Sequence, residues 1–389
     1  MKSNQWIIFL SVVLTIYLLV NIYIFFKGYN VVPDIRNKRL VYTLAFIILA
    51  LTFILGKFLE SSHSSVLSDI LNIIGGFWMG FMLYAFLFLL LSDIILLILR
   101  ISGIIARPEI LQYRKWAFAI TLFLSVVLIA GGSINALIPA IKEYKININK
   151  PAGDIKSIRI AAVSDIHLGS IIRKKSMKKL SGMLERMNPD ITLLLGDIVD
   201  GELGPVLRGD LLKYFTFSGN WDTLFAITGN HEFIGGADRT IPYIESKGIR
   251  VLKDEVVKLP GGIQIIGRLD RDSFRFYSRE RASLAELMKN IDPAKPVILL
   301  DHQPFRLDES EKNGIDLQLS GHTHNGQLWP LNYIINMIFE LGHGYLRKGD
   351  TQIIVSSGFG VWGPRIRSCS RSEVLLINVR FSEGESASG

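Results

Sequence analysis

The sequence predicts an N-terminal four-helix transmembrane bundle followed by an α/β domain. Three observations carry that reading. Charge is split: residues 1–139 hold ten Lys or Arg and five Asp or Glu, leaving 33 and 30 for the rest. Four long apolar stretches fall in the charge-poor part. From residue 158 onward, short β-rich runs alternate with amphipathic segments of helical length. With 49% hydrophobic and 20% charged residues, the chain is too apolar for one ordinary soluble domain, and its composition excludes disorder.

The four stretches are 6–26, 40–56, 70–99 and 116–138, within a transmembrane domain assigned to residues 1–140. A spanning helix needs about 20 mainly apolar residues, and the second stretch is the shortest. The first is longer than the core of a signal peptide and is followed by three more spans, so it reads as a retained helix. The loops after the first and third stretches carry Lys27, Arg36, Lys38, Arg39, Arg100, Arg107, Arg114 and Lys115. The opposite side has Lys2, Lys57, Lys142, Lys145 and Lys150. Positive residues collect on the cytoplasmic side, so both termini and the C-terminal domain are expected outside the cytoplasm. Asp93 sits near the end of the third stretch, where an interfacial or bundle-facing structural role is expected.

The soluble domain is assigned to 150–382, with a polar tail at 383–389. Its expected strands are 158–163, 191–195, 224–228, 262–266, 297–300, 317–319, 352–355 and 374–379, with helices at 174–187, 239–247 and 279–290. Short apolar strands alternating with helices indicate a largely buried sheet, and the closer strand spacing after Arg250 points to added antiparallel pairs. A single cysteine, Cys369, excludes a disulfide framework and a Cys-rich zinc site, and no base is paired with it by any motif. The net charge of +8 follows the loops of the apolar part, so no nucleic-acid partner is expected.

Five of these strands end in Asp, Asn or His: Ser164-Asp165-Ile166-His167, Gly196-Asp197, Gly229-Asn230-His231-Glu232, Asp301-His302 and Gly321-His322-Thr323-His324. In α/β sheets the ligand site lies beyond the carboxyl ends of the strands, so these side chains converge. Asp165, His167, Asp197, Asn230, His302, His322 and His324 are oxygen and nitrogen donors suited to divalent ions. Seven are too many for one ion and enough for two when one carboxylate bridges. Such a pair suits phosphoryl transfer.

This series, with Asp200 in its second block, resembles the calcineurin-like metallophosphoesterase superfamily over most of residues 155–380. The resemblance implies a four-layer αββα sandwich and a two-metal hydrolase. It implies Asp165, His167 and His324 on one metal, Asn230, His302 and His322 on the other, and Asp197 between them. His231 is then the catalytic residue over the phosphate, and Asp200 and Glu232 orient the ligands. The metals are two divalent ions drawn from Mn, Fe, Zn, Co or Mg. The stretches Gly321-His-Thr-His-Asn-Gly-Gln-Leu-Trp-Pro330 and Ser357-Gly-Phe-Gly-Val-Trp-Gly-Pro-Arg365 resemble a bacterial membrane-associated phosphodiesterase subgroup likened to UDP-2,3-diacylglucosamine pyrophosphatases.

The expected function is a membrane-integral phosphoesterase acting on a phosphodiester, phosphomonoester or pyrophosphate. Membrane integration motivates a phospholipid or nucleotide–lipid substrate. The alternative is a non-catalytic receptor or scaffold that keeps the fold, and a complete ligand set argues against it. Arg365 and Arg367 are candidate substrate contacts, with surface solvation as the other reading. The basic run Arg173-Lys174-Lys175 with Lys178-Lys179 reads as a solvated helix face rather than a phosphate or anionic-lipid contact. The uncharged run 328–339 reads either as a core or capping helix or as a lip that enters lipid.

Overall fold

The computed structural model describes residues 3–35, 37–215 and 223–382. Lys2 and Arg36 of the charge count and the polar tail 383–389 lie outside the described residues. The chain forms two compact units, one of Met1–Ile134 with Gly363–Ile366, the other of Asn135–Trp362 with Arg367–Gly389.

The first unit contains α1 (Ser3–Tyr29), α2 (Lys38–Ser62), α3 (Val66–Ile101) and α4 (Ile110–Ala136), all long and apolar enough to cross a membrane. The stretch that looked short is 25 residues of helix, because polar ends extend it past the apolar run. Ser65 starts α3 by accepting from the Ser68 amide in a capping box, which satisfies N–H groups left free at a helix start. The packed interior is small: Ile24, Phe46, Trp78, Ala85 and Leu89. Ile22, Ile48, Leu97 and Phe123 point outward, an arrangement suited to lipid and costly in water. Polar side chains instead turn inward. Trp78 Nε1 donates to Asn21 Oδ1 at 3.0 Å, and Asp93 accepts from Tyr23 Oη at 2.6 Å and Lys27 Nζ at 2.5 Å. Asp93 thus has the bundle-facing place the sequence suggested.

The second unit holds two six-stranded mixed sheets. The first runs β1 (Ala140–Ile148), β12 (Glu373–Phe381), β2 (Ser157–Val163), β3 (Ile191–Leu195), β4 (Leu224–Ile227) and β5 (Arg250–Leu252). The second runs β10 (Gly344–Lys348), β11 (Thr351–Val355), β9 (Leu317–Ser320), β8 (Val297–Leu300), β7 (Gln264–Gly267) and β6 (Glu255–Lys258). The strands β2 to β5 are parallel, as are β7, β8, β9 and β11; β12 with β2, β6 with β7 and β10 with β11 are antiparallel. The helices are α5 (Lys174–Met187), α6 (Gly204–Gly209), α7 (Asn230–Ile234), α8 (Ala237–Glu245), α9 (Asp272–Tyr277), α10 (Leu284–Leu287), α11 (Leu307–Lys312) and α12 (Leu331–Ile338).

Strand alternation sorts the core into layers. Ile160, Ala162, Leu193, Leu195 and Phe225 of the first sheet meet Ile265, Ile298, Leu300, Leu317 and Leu319 of the second. The intervening residues Ala161, Val163, Leu194 and Ala226 face Met177, Leu180 and Leu184 of α5, which recur on one face of that helix at helical spacing. Outside the second sheet, Ile266, Val297 and Leu299 pack on Leu284 and Leu287. The order is helix, sheet, sheet, helix, the four layers expected.

Strands β1, β5, β6 and β10 were not expected. In β1, Lys142, Glu143 and Lys145 are exposed while Ile146 and Ile148 enter the core; its charges disguised an edge strand as linker, so sheet structure begins at 140 rather than 150. The expected helix 279–290 shrinks to α10 and a 3₁₀ turn, Met288–Asn290. The core-helix reading of 328–339 does not hold for α12, which has no buried residue, although Phe339 at the end of the run is buried.

Candidate metal centre

Five strand ends build one cluster. Asp165 follows β2, Asp197 follows β3, Asn230 follows β4, His302 follows β8 and His322 follows β9. Sharp turns are required where each strand stops. Gly196 has φ +87, and a Cβ there would lie 2.6 Å from the Gly229 nitrogen and 2.8 Å from His302 Nδ1. Gly321 needs the same lack of a side chain, because a Cβ would strike Ser164 Oγ and Asp165 Oδ2. Asp165, His167, Asp197, His322 and His324 themselves sit at positive φ. That strain is concentrated at the site.

Two sets of donors result, with a third group, His167, Asp200 and His231, overlapping the first. Asp165, His167 and His324 offer atoms that all lie within 4.8 Å of one another, as do Asp197, His302 and His322. His167 Nε2 is 3.0 Å from His324 Nε2, and Asp165 Oδ1 is 3.5 Å from that same His324 nitrogen. Asn230 Oδ1 lies 2.8 Å from His322 Nδ1. Asp197 stands between the sets, its Oδ2 at 3.7 Å from His167 Nε2 and 3.2 Å from His302 Nε2.

The residues fit a cation. His167 Nδ1 pairs with Asp200 Oδ1 at 3.0 Å, and His302 Nδ1 with the Leu195 carbonyl at 2.7 Å. With those nitrogens donating, both Nε2 atoms present lone pairs to the cluster, the tautomer that ligation requires. His302 Nε2 is buried, with Asp197 Oδ2 at 3.2 Å but no well-directed hydrogen bond among the described residues. A buried nitrogen facing a carboxylate without a directed hydrogen bond is a ligand's arrangement.

Charge within the cluster is strongly coupled. Burial alone would raise Asp197, but His302, His231 and His167 outweigh it and hold the carboxyl well below its usual range. Burial, aided by His302, pushes His322 down to about 3. Burial also lowers His231, against the pull of Asp197. For His167 burial is the largest effect, yet Asp200, Asp197 and Asp165 together overcome it and the imidazole is raised.

Supporting residues hold these geometries. Glu232 accepts four backbone N–H groups, from Asp197 at 3.0 Å, Ile198 at 2.8 Å, Val199 at 3.0 Å and Gly229 at 2.7 Å. It ties the β3 turn to the β4 turn. Asp200 serves His167 and lies 3.4 Å from His231 Nδ1. His231 donates its backbone N–H to Asp197 Oδ1 at 2.9 Å, and its ring meets that of His167 edge-on, centroids 4.6 Å apart.

The two arginines part company. Arg367 is fully buried and donates to the carbonyls of Ser357 at 2.7 Å and Gly360 at 2.7 Å, with Nη2 3.1 Å from His324 Nδ1. With its guanidinium spent on that loop, Arg367 is a brace and not an exposed grip on substrate. Phe359 and Gly360 donate to the Ser164 and Asp165 carbonyls at 2.8 Å and 2.7 Å, so the loop supports the first ligand turn. Glu373 fastens the loop's start through Ser357 N at 2.8 Å and also meets His343 Nε2 at 3.1 Å. Arg365 belongs to the segment Gly363–Ile366 that groups with the helical unit. On α5, Lys174 lies over the Tyr214 ring at 4.7 Å and Lys179 donates to the Leu137 carbonyl at 2.7 Å, uses that compete with phosphate binding.

One buried group escaped the sequence reading. Asp270 has no exposure and accepts from Gln303, the residue after His302, at 3.0 Å; burial raises its carboxyl to about 7. It lies in Arg268-Leu269-Asp270-Arg271, which reads as an ordinary charged loop. Its one signal was position, since it follows β7 as the ligands follow their strands.

The family profile for calcineurin-like phosphoesterases matches residues 158–326. An uncharacterized metallophosphoesterase of Aquifex aeolicus is 34% identical over 263 residues, 67% of this chain and 98% of the relative. A cattle (Bos taurus) transmembrane protein with metallophosphoesterase domain is 28% identical over 68% of this chain and 63% of its own length. The UDP-2,3-diacylglucosamine pyrophosphatase LpxG of Chlamydia trachomatis is 25% identical over 60% of this chain and 87% of its own. With two mixed sheets, clustered His and Asp donors and 34% identity over nearly the whole length of the Aquifex relative, the chain belongs to the calcineurin-like metallophosphoesterase family, whose members are metal-dependent phosphoester hydrolases.

Proposed function

We propose that this chain is a membrane-integral phosphoesterase that uses two divalent cations to hydrolyse a lipid-linked phosphodiester, phosphomonoester or pyrophosphate. The observation that carries the reading is the convergence of seven donors, Asp197 among them, with His302 Nε2 buried against Asp197 Oδ2 at 3.2 Å and without a directed hydrogen bond among the described residues. Asp165, His167 and His324 would hold one cation, Asn230, His302 and His322 the other, and Asp197 both. Bound there, divalent cations supply Lewis acidity toward phosphoryl oxygens and lower the pKa of water. Asp200 keeps a proton on His167 Nδ1, so that Nε2 remains a donor of its lone pair. His231, fixed through its own backbone to Asp197, is placed to hydrogen-bond a phosphoryl oxygen or protonate the leaving group.

Four helices long enough to cross a membrane support membrane integration, as does the transmembrane cattle relative. The Chlamydia relative, named for a diacylglucosamine pyrophosphate, supports a phospholipid or nucleotide–lipid substrate. The distribution of Lys and Arg over the loops supports an extracytoplasmic catalytic domain. The test is a screen of the purified full-length protein with Mn, Mg, Zn, Co and Fe against phospholipids, nucleotide–lipids and a water-soluble aryl phosphodiester. Metal-dependent turnover with a higher kcat/KM on a lipid ester is expected. Turnover of the soluble ester with every lipid untouched overturns the lipid reading. Protection of the domain from protease added to intact cells overturns the orientation.

A further inference from the structure

We propose that α12, flanked by Trp329 and Trp362, is an interfacial lip that inserts into the bilayer and receives the acyl part of a lipid ester beside the metal centre; this rests on the lipid-linked reading above. The helix is built onto the ligand turn itself. Gly326, two residues past His324, lies so close to α12 that a Cβ there would be 2.4 Å from the Asn332 nitrogen. Gln327 then holds Trp362 by two hydrogen bonds, Nε2 to its carbonyl at 2.8 Å and its N–H to Oε1 at 3.0 Å.

On α12, helical spacing puts Asn332 and Asn336 on one face and Tyr333, Ile334, Met337 and Ile338 on the other. The second face is bare: Met337 is 86% exposed, Tyr333 62% and Ile338 56%. Trp362 is 56% and Trp329 41% exposed. Water is a poor solvent for such a surface, and eight residues are too few to span a bilayer. Two tryptophans and a tyrosine around an uncharged helix is the composition of a membrane interface. Residues 137–139 alone separate α4 from β1. A linker of that length reaches about 10 Å, so a domain tethered to a spanning helix always has a bilayer within reach. That favours lipid over a protein partner as occupant.

The test places a nitroxide on Met337→Cys in a Cys369→Ser background, in the full-length protein reconstituted in phosphatidylethanolamine–phosphatidylglycerol vesicles. Lys312→Cys is the aqueous control and Ile22→Cys the lipid-facing control. High accessibility to oxygen with shielding from a water-soluble nickel complex, as at position 22, is expected. Nickel accessibility matching position 312 overturns the proposal. So does shielding from both reagents, the sign of a protein partner or a second copy. In parallel, Ile334→Asp with Met337→Asp is expected to lower kcat/KM on a vesicle-borne lipid ester about ten-fold or more, with hydrolysis of a soluble aryl phosphodiester unchanged. Equal loss on both substrates overturns the acyl role. If the unaltered protein hydrolyses no lipid ester, the substrate reading fails while the nitroxide still decides insertion.

Discussion

Asp93 in the helical unit, about one-third exposed, and Asp197 in the hydrolase domain, buried, are both carboxylates facing polar partners, and what surrounds them differs. Asp93 has a cation and a hydroxyl, Lys27 Nζ at 2.5 Å and Tyr23 Oη at 2.6 Å, so its charge and its acceptor atoms are both satisfied. Asp197 accepts one backbone N–H, from His231, and faces imidazoles whose outer nitrogens are anchored to Asp200 and to the Leu195 carbonyl. Beside it His302 Nε2, 3.2 Å from the carboxylate, has no directed hydrogen bond among the described residues. A saturated pair holds helices together. A cluster with unused lone pairs has capacity for something else, and that residual capacity, more than burial of charge, marks the functional site.

The largest expected effect is at Asp197. Asp197→Ala removes the donor shared by both sets, so bound metal and hydrolysis of an aryl phosphodiester are both expected to fall below detection. Metal analysis of the purified variant with a turnover assay checks this, and full activity would break the contrast with Asp93. Next is His231→Gln, which leaves the seven donors in place. Loss of a group that handles the leaving group's proton costs about 10² to 10⁴ in rate, so kcat is expected to fall by that order with metal content intact. Metal loss in His231→Gln would move His231 into the ligand set.

Asp200→Ala should act more gently. It removes the anchor of His167 Nδ1 and not a donor to the cluster, and such anchors are worth about 10–100-fold in metal affinity or activity. Titration of the metal-free protein with Mn or Zn, read by calorimetry, distinguishes weaker binding from slower turnover. Unchanged affinity and unchanged rate would show that the 3.0 Å contact does not set the tautomer.

This supporting layer is where sequence reasoning ran thin. The clustering of the seven side chains was legible because their recognisable blocks follow five strand ends. The layered fold was legible because buried parallel strands such as Ile191–Leu195 are continuous apolar runs. The edge strand β1 was not, since its exposed face carries Lys142, Glu143 and Lys145 and hides the pairing with β12. Arg367 was misjudged for a related physical reason. Arginine is most often at the surface, and only the three-dimensional path of the 357–360 loop reveals carbonyls enough to bury one. Asp270 went unseen because nothing local distinguishes a buried carboxyl from a solvated one.

The smallest effect is expected at Asp93, and it tests whether the bundle does more than anchor. Asp93→Asn keeps an acceptor for Tyr23 but removes the charge that balances Lys27. The pair is about one-third exposed on each side, so solvent screens part of the loss and a small fall in Tm is expected. Turnover of a soluble aryl phosphodiester by the full-length variant should be unchanged, because a saturated pair has no residual capacity to lend to chemistry. A large drop in kcat at unaltered metal content would mean that the charge balance of the helices reaches the hydrolase domain. The polar pair between α1 and α3 would then have to be counted as part of the enzyme's working parts, and the contrast between saturated and unsaturated clusters would fail as a guide to function in this protein.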